Sequence, residues 1–575
     1  MTKLQQLRNL MKTQGIDTYI ITKFDPHQGE YTHDKYNGVK FISGFSGSSA
    51  TAVVTQTDAF VWTDSRYYLQ AEKELTDGFV MKKIETDQNP YAFSLAATPK
   101  GTIGFDGLSI SVKMMGLLTN HKNPQLTIKT NANLLSEMWE NRPEFTREKV
   151  WNYDEKHTGE STASKLLKIR KEMADKNVDL YILSSIDDIA WLLNIRSMSS
   201  ESSFNFYAYL AIEQNNLTLF MDSQPEDEKL NVDIRPYEDI WAYAKSNSER
   251  TLLYAPARTN LKLFNQFSKQ KVSIPYDITT VLKAKKNEVE IKNLKLANEK
   301  EALVFTKLNR WLSNYSVDTT ITEYDVYEKL DQIRHKLDGY LSRSFSPICG
   351  YGSNGAIVHY HLNKETAKEV KREGFLLVDT GSNFIEGTTD ITRTYAMGPL
   401  TDDQKRHYTA VLKGHIALAT AVFPKGTKGY HLDVLARMPL WEMGLNYGHG
   451  TGHGIGHMLN VHEGPQNISP TAVDVPLEAG MLLSNEPGVY FAGAYGIRLE
   501  NTILVKKCEL SGSDDFLEFE TVSFIPFDLT AIEPTLLTEK EKAWLNTYHK
   551  KCFEQIKCEL CETGQAWLSE LTKAI

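Results

Sequence analysis

The sequence predicts an α/β fold with three domains: two related N-terminal domains and a larger C-terminal one. A length of 575 residues exceeds what a single domain usually holds. A helix–strand pattern near the N-terminus recurs about 160 residues later, and residues 340–505 are rich in Gly, His, Asp and Glu. We place the domains at 1–152, 153–284 and 285–575, with the chemistry in the third.

The repeated pattern consists of an apolar helical stripe, a residue suited to a left-handed cap, and a buried strand. These segments are Leu4–Met11, Gly15 and 18–22 in the first copy, and 166–173, Asn177 and 179–184 in the second. Two later strands, 59–63 and 217–221, are each followed by Asp. A duplicated α/β domain accounts for both echoes. Two unrelated α/β units that share a common pattern are the alternative.

Composition limits the possible partners. Apolar residues make up 41% and charged residues 24%, as in ordinary folded proteins. The net charge of −9 argues against binding nucleic acid by phosphate neutralisation. No stretch is apolar enough to span a membrane, the N-terminus lacks a signal-peptide core, and the five cysteines are too few for a disulfide scaffold. We therefore expect a cytoplasmic protein with no nucleic-acid or membrane partner.

The third domain begins within the basic stretch 283–287, which is followed by a long amphipathic helix whose apolar face runs from Ile291 to Trp311. Further on, the apolar strand 375–378 leads into Asp379. A turn at Glu386-Gly387 then leads into a returning strand that carries Asp390. Folded as a hairpin, these strands bring Asp379 and Asp390 face to face. Two carboxylates held this close repel unless they are protonated or bind a cation.

Two further acids and a histidine block complete the pattern. Glu486 and Glu500 each follow a short apolar segment. The glycines between His449, His453 and His457 exclude a helical metal ladder and favour a loop or strand that brings imidazoles close to the acids. Four carboxylates and one neutral histidine total −4, which two divalent cations balance. Mixed oxygen and nitrogen ligands suit Mn, Zn or Co.

These motifs resemble those of the pita-bread metallopeptidases of family M24, and most closely the three-domain Xaa-Pro aminopeptidases with creatinase-like N-terminal domains. The matching strings are Val378-Asp379-Thr380-Gly381, Gly387–Thr394, His449–Gly456, Val461–Pro465, Asn485–Gly488 and Gly496–Asn501. The resemblance extends over essentially the whole chain and includes Trp62–Tyr67. It implies two creatinase-like α/β domains followed by a pita-bread catalytic domain.

The resemblance also implies a ligand set for two metal ions, usually manganese. The implied ligands are Asp379, Asp390, His453, Glu486 and Glu500, of which Asp390 and Glu500 bridge both ions. No ligand position is substituted. Hydroxide held between the two ions would attack the carbonyl group that precedes proline, so that the N-terminal residue leaves.

The remaining site residues are assigned through the same resemblance. His359 and His462 are the candidates for stabilising the oxyanion and helping the proline nitrogen leave, and His449 joins them as a catalytic candidate that shapes the proline pocket. Tyr490 and Arg498 are expected to line the site, where packing and an ion pair are an equal alternative to a substrate role. Phe345 is a candidate wall of the pocket.

The expected function is release of the first residue from peptides with proline in second position, by a homodimer. A prolidase that cuts only Xaa-Pro dipeptides is the nearest alternative, and an inactive pita-bread binding module is the alternative of another class. A creatine-type amidinohydrolase would not keep the five ligands. Arg66 is expected either to reach the partner's site or to be an ordinary surface residue, and Cys558 and Cys561 to be plain thiols.

Overall fold

The computed structural model describes residues 1–76, 78–120, 123–145, 148–198, 202–226, 230, 232–314, 319–509 and 515–575. The chain divides into two compact units. The N-terminal unit comprises Met1–Tyr153, Glu160–Ser200 and Phe204–Thr280, and the C-terminal unit comprises Asp154–Gly159, Glu201–Ser203 and Val281–Ile575. The boundaries of three domains at 152/153 and 284/285 stay predictions.

The N-terminal unit is built from fourteen strands and eleven helices in its described part. The strands are β1 Thr18–Thr22, β2 Thr51–Thr55, β3 Ala59–Thr63, β4 Val80–Lys83, β5 Gly101–Gly104, β6 Leu126–Lys129, β7 Val150–Asn152, β8 Leu180–Leu183, β9 Ile195–Ser197, β10 Ala208–Ile212, β11 Leu217–Met221, β12 Asp233–Arg235, β13 Leu252–Tyr254 and β14 Lys271–Ser273. The helices are α1 Lys3–Thr13, α2 Gly38–Ser43, α3 Tyr68–Glu74, α4 Pro90–Ala97, α5 Val112–Thr119, α6 Leu134–Met138, α8 Thr162–Asp175, α9 Ile186–Leu193, α10 Asp239–Ser246, α11 Leu261–Phe264 and α12 Ile278–Ala284, which runs on into the C-terminal unit.

The two six-stranded sheets of this unit have the same topology, which confirms the duplication. Their strand orders are β4-β3-β2-β1-β5-β6 and β12-β11-β10-β8-β13-β14. In each sheet the central strand is antiparallel to one neighbour and parallel to the other. The predicted caps are also present, since Gly15 has φ +64° and Asn177 has φ +52°. Both residues therefore adopt the left-handed conformation that ends a helix before a strand.

The C-terminal unit combines short sheets with long helices. Its strands are β15 Tyr340–Arg343, β16 Ile348–Tyr351, β17 Phe375–Thr380, β18 Ser382–Phe384, β19 Gly387–Thr388, β20 Ile391–Ala396, β21 Val422–Pro424, β22 Gly452–Gly454, β23 Glu463–Ile468, β24 Leu482–Asn485, β25 Gly488–Phe491, β26 Tyr495–Arg498, β27 Asn501–Lys507 and β28 Phe516–Thr521. Its helices are α7 Glu155–Thr158, α13 Glu288–Asn314, α14 Glu323–Arg334, α15 Asp402–Ala419, α16 Gly429–Trp441, α17 Glu539–Ile556 and α18 Glu562–Leu571.

The amphipathic helix predicted after residue 285 is α13, and it buries Leu294, Ala302, Phe305 and Leu308. It packs with α14 and with β16, β17 and β20 in one apolar core. The strands β21-β28-β27-β24-β22-β23 form a six-stranded sheet in this unit. Four candidate ligand acids lie at or next to the ends of β17, β20, β24, β26 and β27, and the candidate histidine lies within β22. Among the described residues, no helix is long and apolar enough to cross a membrane.

Candidate metal centre

Two acids meet where β17 ends and β20 begins. These strands pair antiparallel, with Asp379 opposite Thr392 and Thr380 opposite Ile391. Asp390 directly precedes β20, so the hairpin brings its carboxylate to the same end as that of Asp379. Carboxylate oxygens of Asp379, Asp390 and Glu500 all lie within 4.8 Å of one another.

His453 reaches the same place from β22, where glycines flank it because the backbone is crowded. A Cβ atom on Gly452 would lie 2.0 Å from the carbonyl oxygen of Ser484, and one on Gly454 would lie 2.3 Å from that of Glu463. The Nδ1 atom of His453 is 2.9 Å from the carbonyl oxygen of Gly454. Nδ1 therefore carries a proton and donates a hydrogen bond to this carbonyl, which leaves Nε2 as the atom that faces the acids.

The Nε2 atom of His453 is 3.3 Å from Asp390 Oδ2 and 3.6 Å from Glu486 Oε1. Ligand atoms of His453, Glu486 and Glu500 form a second group within 4.8 Å, and Glu500 belongs to both groups. The structure thus brings together all five residues that the sequence singled out as metal ligands. Their arrangement as two groups that share Glu500 suits two neighbouring ions.

The electrostatics of this cluster require a positive charge. Burial raises the pKa of Asp379, raises that of Glu486 to about 7, and raises that of Glu500 well above its usual value, with the neighbouring acids adding to each shift. Burial opposes the protonation of His453, yet its hydrogen bond to Asp390 and the charge of Glu486 raise its pKa to about 9. The cluster therefore tends to bind protons, and bound cations would neutralise the same negative charge.

Two buried carboxylate oxygens indicate that cations fit this cluster. Asp379 Oδ1 and Glu500 Oε1 have no hydrogen-bond partner among the described residues. The second oxygen of each group is occupied, because Arg498 donates to Asp379 Oδ2 at 2.6 Å and Thr392 donates to Glu500 Oε2 at 2.7 Å. Buried acceptors without donors are costly unless a cation binds them. The oxygen and nitrogen donor set fits divalent ions of the Mn, Zn or Co type.

A hydrogen-bonded chain leads from this cluster to His449. Arg498 donates through Nη2 to Asp379 and through Nη1 to the hydroxyl of Tyr490 at 2.7 Å. The Tyr490 hydroxyl lies 2.8 Å from His449 Nε2, and His449 Nδ1 lies 2.7 Å from the carbonyl oxygen of Gly450. Since the Gly450 carbonyl can only accept, Nδ1 holds the proton and Nε2 accepts from Tyr490. These contacts orient His449 and favour its role in shaping a pocket.

Three other predicted site residues, His462, His359 and Phe345, lie outside the set of five candidate ligands. His462 lies beside the cluster: its ring centroid is 4.3 Å from that of His453, and one of its nitrogens is within 4.8 Å of ligand atoms of His453 and Asp390. His359 is half-buried and follows Val358, whose carbonyl accepts from Arg498 at 3.4 Å. Phe345 is also half-buried.

Two polar residues in the cluster were missed by sequence reasoning. Thr392 donates to Glu500, and Ser484 donates to Glu486 Oε1 at 3.2 Å while accepting from the backbone N–H of His453 at 3.0 Å. Each stands two residues from an acid of the set. In a strand this spacing puts two side chains on one face, and it is the signal that could have identified them.

Residues outside the cluster have other surroundings. His457 Nε2 lies 3.0 Å from the carbonyl oxygen of Glu386, in keeping with a structural role. Cys558 and Cys561 are exposed, and all five cysteines are free thiols. Arg66 forms a two-point ion pair with Asp64 at 2.8 and 2.9 Å.

Family models match nearly the entire chain. Residues 292–507 match metallopeptidase family M24, and residues 515–575 match the C-terminal region of that peptidase family. Residues 3–137 and 141–290 each match the creatinase/prolidase N-terminal domain. The duplicated sheets of the N-terminal unit thus correspond to two domains of one type.

Similar proteins agree with this family. Aminopeptidase P2 of Arabidopsis thaliana is 36% identical over all of this chain and 88% of its own length. Xaa-Pro aminopeptidase 1 of Dictyostelium discoideum is 35% identical, covering 96% of this chain and 92% of its own. A Caenorhabditis elegans X-prolyl aminopeptidase, described as a cytosolic enzyme with a di-nuclear active site, superposes with a TM-score of 0.95 at 30% identity, with full coverage of both chains.

Proposed function

The chain belongs to the Xaa-Pro aminopeptidases of metallopeptidase family M24, and we propose that it releases the N-terminal residue from peptides whose second residue is proline. The observation that carries the proposal is the convergence of four acids and His453, with two buried carboxylate oxygens that have no hydrogen-bond donor among the described residues. We assign Asp379, Asp390, His453, Glu486 and Glu500 as ligands of two divalent ions, with manganese preferred.

When bound, two such ions supply a hydroxide-like nucleophile near neutral pH and polarise the scissile carbonyl group. The chain itself supplies the other requirements. His462, beside His453, is assigned to donate a hydrogen bond to the developing oxyanion. His359 is assigned to assist the departure of the proline nitrogen.

The hydrogen-bonded chain formed by Arg498, Tyr490 and His449 gives one rigid wall of the site. Because His449 has both ring nitrogens engaged, it offers its ring edge and face to a substrate rather than a proton. An apolar proline ring packs well against such a surface. We assign Phe345 to the opposite wall of this pocket.

Compartment and assembly are part of the proposal. Five free thiols suit a reducing compartment, and the C. elegans protein is described as cytosolic, so we assign this chain to the cytoplasm. We assign a homodimer as the active form from the family resemblance, with no nucleic-acid or membrane partner. Size-exclusion chromatography with light scattering tests the dimer directly.

The decisive experiment uses chelator-treated protein reloaded with Mn. An Xaa-Pro-Yaa tripeptide and the matching Xaa-Pro dipeptide are incubated with it, and release of the first residue is measured. Metal-dependent cleavage of the tripeptide, with little cleavage of the dipeptide, is the expected result. Cleavage of the dipeptide alone would indicate a prolidase. No cleavage of either with Mn, Zn or Co would indicate a binding module.

A further inference from the structure

A fully buried ion pair lies behind the two acids that end β17 and precede β20. Glu301 of α13 and Arg334 of α14 are joined by a charge-assisted hydrogen bond, and both side chains are 0% exposed. The pair is distinct from the ligand cluster, and no catalytic step proposed above uses it.

Each member of the pair also holds a threonine that is adjacent to a metal-ligand candidate. Arg334 Nη1 donates to the hydroxyl of Thr380 at 2.9 Å, and the hydroxyl oxygen of Thr389 lies 3.3 Å from both Glu301 Oε2 and the carbonyl oxygen of Ser382. Thr380 directly follows Asp379, and Thr389 directly precedes Asp390. Because neighbouring side chains in a strand point to opposite faces, Thr380 and the pair lie on the face of β17 opposite the Asp379 carboxylate.

A buried ion pair is by itself weak evidence for a role in stability. Burying two charges costs several kcal/mol for each ion, and apolar side chains of similar size often serve stability as well or better. What the pair supplies instead is a fixed link between two hydroxyl groups on different chain segments. The carbonyl of Thr389 is held as well, because it accepts from the hydroxyl of Ser344 at 2.8 Å.

We propose that Glu301 and Arg334 are positioning residues that fix the separation of Asp379 and Asp390 and thereby set the affinity of the centre for its two divalent ions. The proposal rests on the proposed function, because it takes these two acids as ligands. The pair acts through Thr380 and Thr389, and it touches neither the ions nor the substrate. Partners that hydrogen-bond directly to a metal ligand contribute about 10- to 100-fold to metal affinity, and this pair, which acts through the residue next to each ligand, is expected at the lower end of that range.

The test separates positioning from stability by removing the charges one at a time and then together. Arg334→Met alone leaves Glu301 charged, buried and unpaired, so it should lower both the stability and the Mn affinity. The double variant Glu301→Met/Arg334→Met leaves no unpaired charge, so the unfolding midpoint of the metal-free protein should return towards the wild-type value. Its Mn affinity, measured by titration calorimetry with Mn alone, should stay about 10-fold weaker than that of the wild type, the lower end of the range for direct partners of metal ligands.

Two controls complete the design. Asp331→Met/Arg343→Met removes another ion pair of α14, which contacts neither threonine in the described structure, and should bind Mn like the wild type. Thr380→Val keeps the pair intact but removes the acceptor of Arg334, so it should weaken Mn binding, and Thr380→Ser should restore it. These threonine variants decide the question if the double variant fails to fold.

The outcomes are distinct. Mn affinity that recovers together with stability in the double variant, or that is unchanged in Thr380→Val, would overturn the inference and leave the proposed function standing. Wild-type protein that takes up no metal at all would overturn both. Persistent loss of affinity in a variant of restored stability supports positioning.

Discussion

Replacing Arg498 by methionine removes a guanidinium that pairs with Asp379, an acid of the metal centre. Arg498 is 2% exposed, and its Nη2 atom lies 2.6 Å from Asp379 Oδ2. It also donates to Tyr490 and Thr392. Methionine fills a similar volume, so the change removes charge and hydrogen bonds more than packing. We expect both the stability of the metal-free protein and its peptidase activity to fall.

The structure sets the size of the effect on stability. Two unit charges at 2.6 Å attract by about 6 kcal/mol at an effective dielectric constant of about 20. Part of this attraction already offsets the cost of burying Asp379 and Arg498. Breaking a buried pair from one side typically costs about 3–5 kcal/mol, because the remaining charge stays buried. We expect a loss in this range for the metal-free variant and a smaller loss with Mn bound, since a cation then neutralises Asp379.

Hydrogen exchange of peptides from β17 and β20 under increasing denaturant reports the C-terminal unit apart from the N-terminal one. Lys295→Met is the matched control, because it breaks a half-exposed ion pair with Glu520 and should cost less than about 1 kcal/mol. If Arg498→Met destabilised the metal-free protein no more than the control does, Asp379 would not depend on Arg498. The electrostatic account of the site would then be wrong.

Three further predictions follow from the same region and its surroundings. Tyr490→Phe removes the hydroxyl between Arg498 and His449, so kcat/KM should fall about 10- to 100-fold with unchanged metal content; normal kinetics would argue against an ordered wall. His462→Ala should lower kcat about 100-fold while the protein keeps its metal, and near-normal turnover would remove His462 from the mechanism. Burial lowers the pKa of His549 from 6.5 to about 3. Below pH 6.5 the unfolded chain therefore binds a proton at this residue that the native chain does not bind. The free energy of unfolding should fall by up to about 5 kcal/mol as the pH drops to 3. His549→Gln, which can still accept from the N–H of Phe527, should flatten this decline in acid denaturation; an unchanged slope would contradict the assignment.

The repeated helix, cap and strand could be predicted because each part is a local signal. Leu4, Leu7 and Met11 are spaced for one helix face, and Gly15 and Asn177 are residues that tolerate a left-handed backbone. Strand order could not be predicted in this way. The pairing of β1 with β5 joins segments about eighty residues apart, and only packing of the folded sheet selects it.

The candidate ligands could be predicted from the sequence for a different reason. Acids that follow apolar runs are uncommon, and glycines around His453 mark a backbone that neighbours approach closely. The roles of Glu301 and Arg334 could not be predicted from the sequence, because a charged residue on a long helix usually faces water. Only the packing of α13 against α14 buries both and brings them to Thr380 and Thr389.

The hydrogen bonds around the acids determine which oxygens remain for a cation. Three carboxylate oxygens already accept a hydrogen bond: Asp379 Oδ2 from Arg498, Glu500 Oε2 from Thr392, and Glu486 Oε1 from Ser484. Asp379 Oδ1 and Glu500 Oε1, which have no hydrogen-bond partner among the described residues, are therefore the oxygens left for a cation. Such preorganisation spares the ions the cost of ordering their ligands. It follows that the five ligand types alone do not specify this centre, and that a chain with the same five residues but without these donors would bind its ions more weakly.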